Sequence, residues 1–261
     1  MRGASTPCWR AVGRPPHGGD LSQDQVRVSV VIPTHNEAQS IGRVLADLQS
    51  AADIVTEVLI VDSNSTDGTP KIATKMGARV LHEPRRGYGR ACLTGLASAS
   101  RPDIVVFLDG DYSDRPAELP LLLAPIVDGR ADITLGSRLG KQSIRGALPW
   151  HAAFGNRLAA VLIRLLFGLE ITDLGPFRAG RADVLRRLEL QENTYGWAVE
   201  IILKGTLAGF RIVEVPVSYY PRIGKSKISG TLRGTVGAAW FILSLIVRYY
   251  FRHRRAGTPP V

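Results

Sequence analysis

The stretch Ile104-Val105-Val106-Phe107-Leu108-Asp109-Gly110-Asp111 constrains this chain more than any other. Five consecutive apolar residues, β-branched at the first three positions, read as a strand buried on both faces, as in a parallel sheet. The run ends in two carboxylates separated by one glycine, at the point where a strand must leave its sheet. Open α/β sheets bind ligands at the carboxyl ends of their strands. Two carboxylates one residue apart can share a hard divalent cation, and Gly110 lets the cation's phosphate partner approach the backbone. Asp-x-Asp alone is more often a solvated turn. Its place at the end of a buried strand is what points to a site.

The flanking sequence repeats that plan. Arg27 to Ile32 is a first buried strand, ended by Pro33, with Thr34-His35-Asn36-Glu37 as its loop. Ile41, Val44, Leu45 and Leu48 then fall on one helical face. Glu57 to Val61 is a second strand, and Asp62 to Thr69 is its polar loop. Pro70 opens a helix that Gly77 closes. Arg79 to Leu81 is a short third strand, and Gly87 to Arg90 leads into a helix with Cys92, Leu93 and Leu96. After the central strand come a Pro-initiated helix through Leu119 to Ile126 and a strand, Ile133 to Leu135, ending in Gly136-Ser137-Arg138. Strands alternating with helices predict an α/β fold, a Rossmann-like, mostly parallel central sheet with helices on both faces.

The second half changes character. Trp150 to Leu169 places Phe154, Leu158, Val161, Leu162, Leu165 and Leu166 on one helical stripe, with Arg157 and Arg164 on another face. Such a helix packs on the sheet with its arginines solvated, or lies near a bilayer. Thr172 to Arg178 is a turn-forming segment. Trp197 to Ala208 is a helix bearing Glu200 and Lys204, and Arg211 to Val217 is an edge strand, since Pro216 would break a central ladder. Gly234 to Val247 carries no charge and precedes Arg248, Tyr249, Tyr250, Phe251 and a basic end. Carried to Phe251 this helix is about 27 Å long, short of the roughly 30 Å hydrocarbon core. It reads as a helix on the membrane surface, with a buried amphipathic helix as the alternative.

Composition bounds the partners. The formal net charge is +10, and no acidic residue follows Glu214, whereas eight lysines and arginines lie between Arg222 and Arg255. No nucleic-acid-binding pattern accompanies them, so small-molecule phosphates and anionic lipid headgroups are the expected partners. Two cysteines, Cys8 and Cys92, make neither a disulfide framework nor a zinc site, which fits a reducing cytoplasmic setting. Residues 1–25 read as a disordered tail without a signal-peptide core, 26–230 as one α/β domain and 231–261 as an apolar helix with a basic tail.

Three polar loops (Asn36-Glu37, Asp62 to Asp67, Asp109-Gly110-Asp111) must meet on one sheet edge if their strands are parallel. The Asp62 loop is not a calcium loop, because its glycine is one place late and the closing Glu is missing. Gly87-Tyr88-Gly89 has Cys92 where a dinucleotide fingerprint needs its third glycine, and P-loop, nucleophile-elbow and zinc-protease signatures are missing.

Val30 to Glu37, Val61 to Thr69, Asp109-Gly110-Asp111 and Gly136-Ser137-Arg138 together resemble family 2 glycosyltransferases of the GT-A fold. Leu174-Gly175-Pro176-Phe177-Arg178 and Gly224-Lys225-Ser226-Lys227 are similar to the acceptor-side motifs of the polyprenyl-phosphate (dolichyl-phosphate) hexosyltransferase branch. The resemblance implies that Pro33, His35, Asn36 and Glu37 line the base and ribose pocket, with Asp62, Asn64 and Asp67 beside it. It implies that Asp62 meets the base edge, Asp109 the sugar or ribose, and Asp111, with Asp109 nearby, a Mg²⁺ or Mn²⁺ ion. Two positions depart from the branch: Ser113 stands where Gln is common, and His35 where Tyr is frequent.

The expected reaction is an inverting displacement at the anomeric carbon of a UDP- or GDP-linked hexose, the cation offsetting charge on the diphosphate. Arg222, Lys225, Ser226 and Lys227 form a phosphate-attracting loop, and Arg138 and Arg178 grip a lipid phosphate acceptor bidentately. A hydroxyl acceptor would instead need a base, for which Glu200 and Asp173 are the candidates. Glu200 has an alternative as a surface partner of Lys204. Nucleotidyl transfer, and nucleotide-sugar binding without chemistry at a membrane, are the competing functions. The expected location is the cytoplasmic face of the cell membrane, peripherally attached, with no oligomeric state implied.

Overall fold

The computed structural model describes residues 26–139, 144, 147, 149–224 and 232–255. The expected tail, 1–25, and the loop residues Lys225, Ser226 and Lys227 lie outside them.

Seven strands form one sheet: β1 (Val28–Thr34), β2 (Val55–Asp62), β3 (Arg79–His82), β4 (Ile104–Phe107), β5 (Ile133–Ser137), β6 (Arg178–Arg181) and β7 (Ile212–Pro216), in the order β3-β2-β1-β4-β6-β5-β7. All run parallel except β6, which pairs antiparallel with both β4 and β5. The chain leaves β1 toward β2 and β3 on one side and returns to β4 on the other. The switch point therefore lies between β1 and β4, where an open sheet forms its crevice. Because β6 is antiparallel, its first residue, Arg178, sits on the same sheet edge as the last residues of its neighbours.

Both faces are covered. Val28, Val30, Ile32, Ile104, Val106 and Leu108 meet the helices α1 (Ile41–Gln49), α2 (Thr69–Lys75) and α4 (Leu119–Val127). Val31, Val105, Phe107, Ile133 and Leu135 face the opposite layer, which holds α3 (Tyr88–Ser98), α5 (Trp150–Phe167), α6 (Ala182–Arg187), α7 (Trp197–Leu207) and α8 (Leu232–Arg255). Double-sided burial explains why the strands read as continuous apolar runs. α1 buries Ile41, Val44, Leu45 and Leu48 as the spacing requires.

Some expectations change. Pro33 does not end β1, which continues to Thr34 with Pro33 in register opposite Val61. By then β1 has passed its last partner on β4, Phe107, so the missing proline N–H disrupts no bond on that side. The segment 172–178 is not turn alone, since its last residue opens β6. β7 is an edge strand, as Pro216 demands.

α5 divides its apolar stripe: Leu162 and Leu166 are half-buried against the core, whereas Phe154, Leu158, Val161 and Leu165 are 67%, 43%, 47% and 75% exposed. The helix docks through the buried Ala159, Ala160, Ile163 and Phe167. Arg157 and Arg164 are exposed, as solvated arginines on another face should be. α8 lies alongside, bringing Ala239 to Gly155 at one end and Tyr250 to Phe167, with ring centroids 6.1 Å apart, at the other. Leu245 and Ile246 anchor α8 inward, while Trp240 (75% exposed) and Phe251 (55%) face outward. Among the described residues no helix is long and apolar enough to cross a membrane.

Candidate active site

The loops after β1 and β2 are laced together at the sheet edge. Asp62 is buried; its Oδ1 accepts from Thr34 Oγ1 (3.3 Å) and its Oδ2 from Ser65 N (3.0 Å). His35 Nδ1 lies 2.7 Å from Ser63 O, Asn36 N donates to Ser65 Oγ, and Thr66 N donates to Asn36 Oδ1. Glu37 N reaches Thr69 Oγ1, and Asp67 accepts from Ala38 N and from Thr69 N and Oγ1. Burial would raise the Asp67 carboxyl, but these hydrogen bonds hold it below the usual carboxylate range. Asn36 and Asn64 take left-handed backbone (φ 55° and 58°), which asparagine tolerates, and Asn64 Nδ2 bonds Pro84 O. Pro33, His35, Asn36, Glu37, Asp62, Asn64 and Asp67 thus share one interlocked pair of loops.

Asp109 and Asp111 leave β4 beside them. Gly110 is buried, and a Cβ there would lie 3.1 Å from Thr34 Cγ2, so glycine permits close approach of the β1 loop. That contact, rather than an open path for a phosphate, is what requires it. Asp109 keeps some surface in the cleft, yet burial first, and then the negative charge of Asp111, push its carboxyl up to about 7. Asp111 Oδ1 accepts from Ser113 N (2.9 Å) and Oγ (2.6 Å), and its Oδ2 pairs with Arg222 at 2.6 Å. Ser113 therefore braces Asp111 from the position where the branch commonly has Gln.

Three participants escaped sequence reasoning. Asp114 is buried, and neither carboxyl oxygen has a hydrogen-bond partner among the described residues; burial first, and then Asp109, push its carboxyl well above the usual range. Its signal was present as a third carboxylate in Asp109-Gly110-Asp111-Tyr112-Ser113-Asp114. Tyr88, at the start of α3, is buried near Asp109, and both burial and that charge raise its hydroxyl. Tyr219 lies under Arg138, whose guanidinium is 5.1 Å from the ring centroid. Neither tyrosine carried a local signal.

The structure redirects four expected contacts. Arg178 is 1% exposed and donates to the carbonyls of Ala198, Leu174 and Gly175, so it ties α7 to the loop before β6 and cannot grip an outside phosphate. Arg138 bonds Asp173 through its backbone N, Nε and Nη2, so these donors are committed to a buried carboxylate rather than to the bidentate phosphate grip expected of them. Asp173, fully buried, also accepts from Asn156 and Leu174 N; burial opposes its charge, but Arg138 holds the carboxyl below its usual range. A carboxylate so held is a poor base. Glu200 is buried and accepts from Gln191 N, Glu192 N, Tyr249 Oη and Lys204 Nζ. The largest influences on Asp109, after burial, are Asp111, Arg222, Tyr88 and Arg138, whereas Glu200 commits its oxygens to Gln191, Glu192, Lys204 and Tyr249.

Two carboxylates at this edge fit a divalent ion. Among the described residues no three His, Cys, Asp or Glu side chains form a ready cage. Mg²⁺ sites that also bind phosphate use one or two carboxylates and complete the shell with substrate and water. The raised Asp109 carboxyl reflects burial first and the charge of Asp111 second.

Comparison with known proteins agrees with this geometry. A dolichyl-phosphate hexose transferase of Haloferax volcanii is 38% identical over 77% of this chain and 86% of its own length. An undecaprenyl-phosphate mannosyltransferase of Micrococcus luteus is 34% identical over 82% and 91%, and an uncharacterized glycosyltransferase of Mycobacterium tuberculosis is 37% identical over 83% and 98%. Among solved structures, glucosyl-3-phosphoglycerate synthase of M. tuberculosis, in complex with Mn²⁺, UDP and glucosyl-3-phosphoglycerate, superposes with a TM-score of 0.69 at 25% identity, covering 86% of this chain and 80% of that one. The sheet order, the acidic loop at its switch point and a match of the family model over residues 29–189 lead to one assignment: the chain belongs to glycosyl transferase family 2 and has a GT-A-like fold.

Proposed function

We propose that this enzyme transfers a hexose, with inversion, from a UDP- or GDP-linked donor to a polyprenyl phosphate or similar lipid phosphate at a membrane surface. The observation that carries the reading is the state of the two candidate bases. Glu200 and Asp173 are both buried in ion pairs, and Asp114 favours its proton. A hydroxyl acceptor needs a base within hydrogen-bond reach, whereas a lipid phosphate brings an oxygen already ionised. The relatives named for dolichyl and undecaprenyl phosphate point the same way. Membership of a glycosyltransferase family argues against nucleotidyl transfer and against a sensor without chemistry.

In this reading the His35-Asn36-Glu37 and Asp62–Asp67 loops hold the nucleotide, with Pro33 fixing the exit of β1. Asp109 and Asp111 would hold Mg²⁺ or Mn²⁺, which supplies charge neutralisation for the departing diphosphate. Asp109 orients the sugar, Ser113 fixes the Asp111 carboxylate, and Arg138 with Asp173 keeps the β5 rim rigid. Arg222, together with Lys225, Ser226 and Lys227, attracts donor or acceptor phosphates.

The α5 and α8 surface supplies the membrane half. Outward Phe154, Leu158, Val161, Leu165, Trp240 and Phe251, with Arg157 and Arg164 alongside, suit an interfacial position on anionic lipid. Attachment is peripheral, on the cytoplasmic face, with 26–230 as the catalytic unit and 231–261 as the attachment segment.

The test is a donor and acceptor screen: UDP- and GDP-hexoses with Mg²⁺ or Mn²⁺, offered polyprenyl phosphates or their dephosphorylated alcohols. Nucleoside diphosphate release that needs the phosphate, stops on chelation and yields a product of inverted anomeric configuration is the expected result. Turnover with the alcohol alone, or retained configuration, would overturn the proposal.

A further inference from the structure

We infer that Arg222 is an internal cation that caps Asp111 while the donor site is empty and must be displaced for a divalent ion to bind. This rests on the reading of Asp109 and Asp111 as the metal carboxylates. Asp111 has no idle oxygen: Ser113 holds Oδ1 from two sides, and Arg222 Nη2 holds Oδ2 at 2.6 Å. A metal ion on the second lone pair of Oδ2 would stand against a guanidinium 2.6 Å from the same oxygen, and repulsion between the two cations favours exchanging one for the other.

The ion pair is built to exchange. Arg138, in its pair, is 10% exposed and bonds its carboxylate partner through three donors. The Arg222 side chain is three times as exposed, at 31%, and shares its donors between Asp111 and the Tyr219 hydroxyl. Its charge also does not suffice, since one guanidinium faces two carboxylates one residue apart. A divalent ion balances the pair, so it competes favourably once it arrives, and more so with a diphosphate to complete its shell.

Displacement has a destination. The segment before the Lys225–Lys227 loop is fastened along the acidic loop: Tyr220 N donates to Ser113 O, and Ile223 N donates to Asp111 O, both at 2.9 Å. Arg115 stacks between the Tyr112 and Tyr220 rings, 4.2 and 3.7 Å from their centroids. With the backbone so held, a freed Arg222 stays beside the site as the negative diphosphate enters. One side chain thus suppresses metal binding in the absence of donor and afterwards offers its charge to the donor, which makes the ion and diphosphate bind as a unit.

The experiment measures free Mn²⁺ by electron paramagnetic resonance during titration of the full chain, with and without UDP, for the natural protein, Arg222→Gln, Arg222→Lys and Asp111→Asn. Without UDP, Arg222→Gln should bind Mn²⁺ about tenfold more tightly, equivalent to about 1.4 kcal/mol. Arg222→Lys, which keeps the cation, should stay within about threefold of the natural protein. UDP should tighten Mn²⁺ binding in the natural protein more than in Arg222→Gln. Equal or weaker Mn²⁺ affinity in Arg222→Gln, with binding lost in Asp111→Asn, overturns the capping role and leaves the metal reading standing. Lack of Mn²⁺ binding by the natural protein even with UDP, or binding that survives Asp111→Asn, overturns both. Thermal unfolding of each variant confirms that the comparison is between folded proteins.

Discussion

Replacing Asp173 with Asn separates a structural carboxylate from a chemical one. Asp173 is fully buried and accepts five hydrogen bonds, three from Arg138 and one each from Asn156 Nδ2 and Leu174 N. Asparagine keeps the volume but removes the charge, and turns an NH₂ group toward at least one of those donors. Arg138, only 10% exposed, is left without its counter-ion. Breaking a buried pair from one side costs about 3–5 kcal/mol. At about 2–4 °C per kcal/mol for a domain of this size, Tm should fall by roughly 6–20 °C. Glu170→Gln is the control: its partner Arg164 and Glu170 itself are 66% and 75% exposed, so Tm should barely move. The pH dependence adds a second check. Arg138 holds the Asp173 carboxyl below its unfolded value of about 3.9. Its stabilisation is therefore fully present above that value and disappears as pH falls through the lower, folded one. The gap in Tm between the two proteins should stay constant from neutral pH to about 5 and close only below about 4. Calorimetry across that range measures it. A Tm shift below about 2 °C, with kcat collapsed, would make Asp173 a catalytic base and refute the argument.

Glu200→Gln should leave kcat within about twofold while lowering stability by about 1.5–3 kcal/mol, because a buried charge-assisted network with Lys204 and Tyr249 is weakened; lost turnover at unchanged denaturation midpoint would contradict this. Gly95→Ala should destabilise by about 1–3 kcal/mol, since its Cβ would lie 2.3 Å from Val31 Cγ1 on β1. An unchanged urea midpoint would mean that β1 and α3 are less tightly packed than the structure has them. Phe154→Asp combined with Leu165→Asp, both on the outward α5 stripe, should reduce sedimentation with anionic vesicles by about tenfold or more at unchanged Tm. Full retention on vesicles would remove α5 from the membrane surface.

What could be read from the sequence was what is local in it. The strand-to-carboxylate transition at Ile104–Asp111 and the α1 face of Ile41, Val44, Leu45 and Leu48 are set by residues a few positions apart. Periodicity and turn chemistry report such neighbours directly. β6 was not legible because Arg178-Ala-Gly-Arg181 has neither alternation nor β-branched residues. It is a strand only because β4 and β5 flank it and supply its hydrogen bonds. Arg178 was accordingly misread as a surface clamp, when pairing places it in the interior among backbone carbonyls.

The two readings of α5 stay open in the sequence for a different reason, and it bears on function. Periodicity shows that a helix has an apolar face, but not what solvent or neighbour that face meets. α5 has two such faces. The small one, around Ala159, Ala160 and Ile163, lets the backbone approach the protein, and the large one, from Phe154 to Leu165, is left outside. A helix that docks through its small residues while turning its bulky ones outward loses the burial those bulky side chains would have contributed, at about 25 cal/mol per Å². Nothing within the described fold compensates for that loss. A second apolar phase would, and the proposed acceptor, with its polyprenyl tail, would bring the enzyme to one. On that proposal the outward face of α5 is what would join the acidic cleft to a lipid substrate.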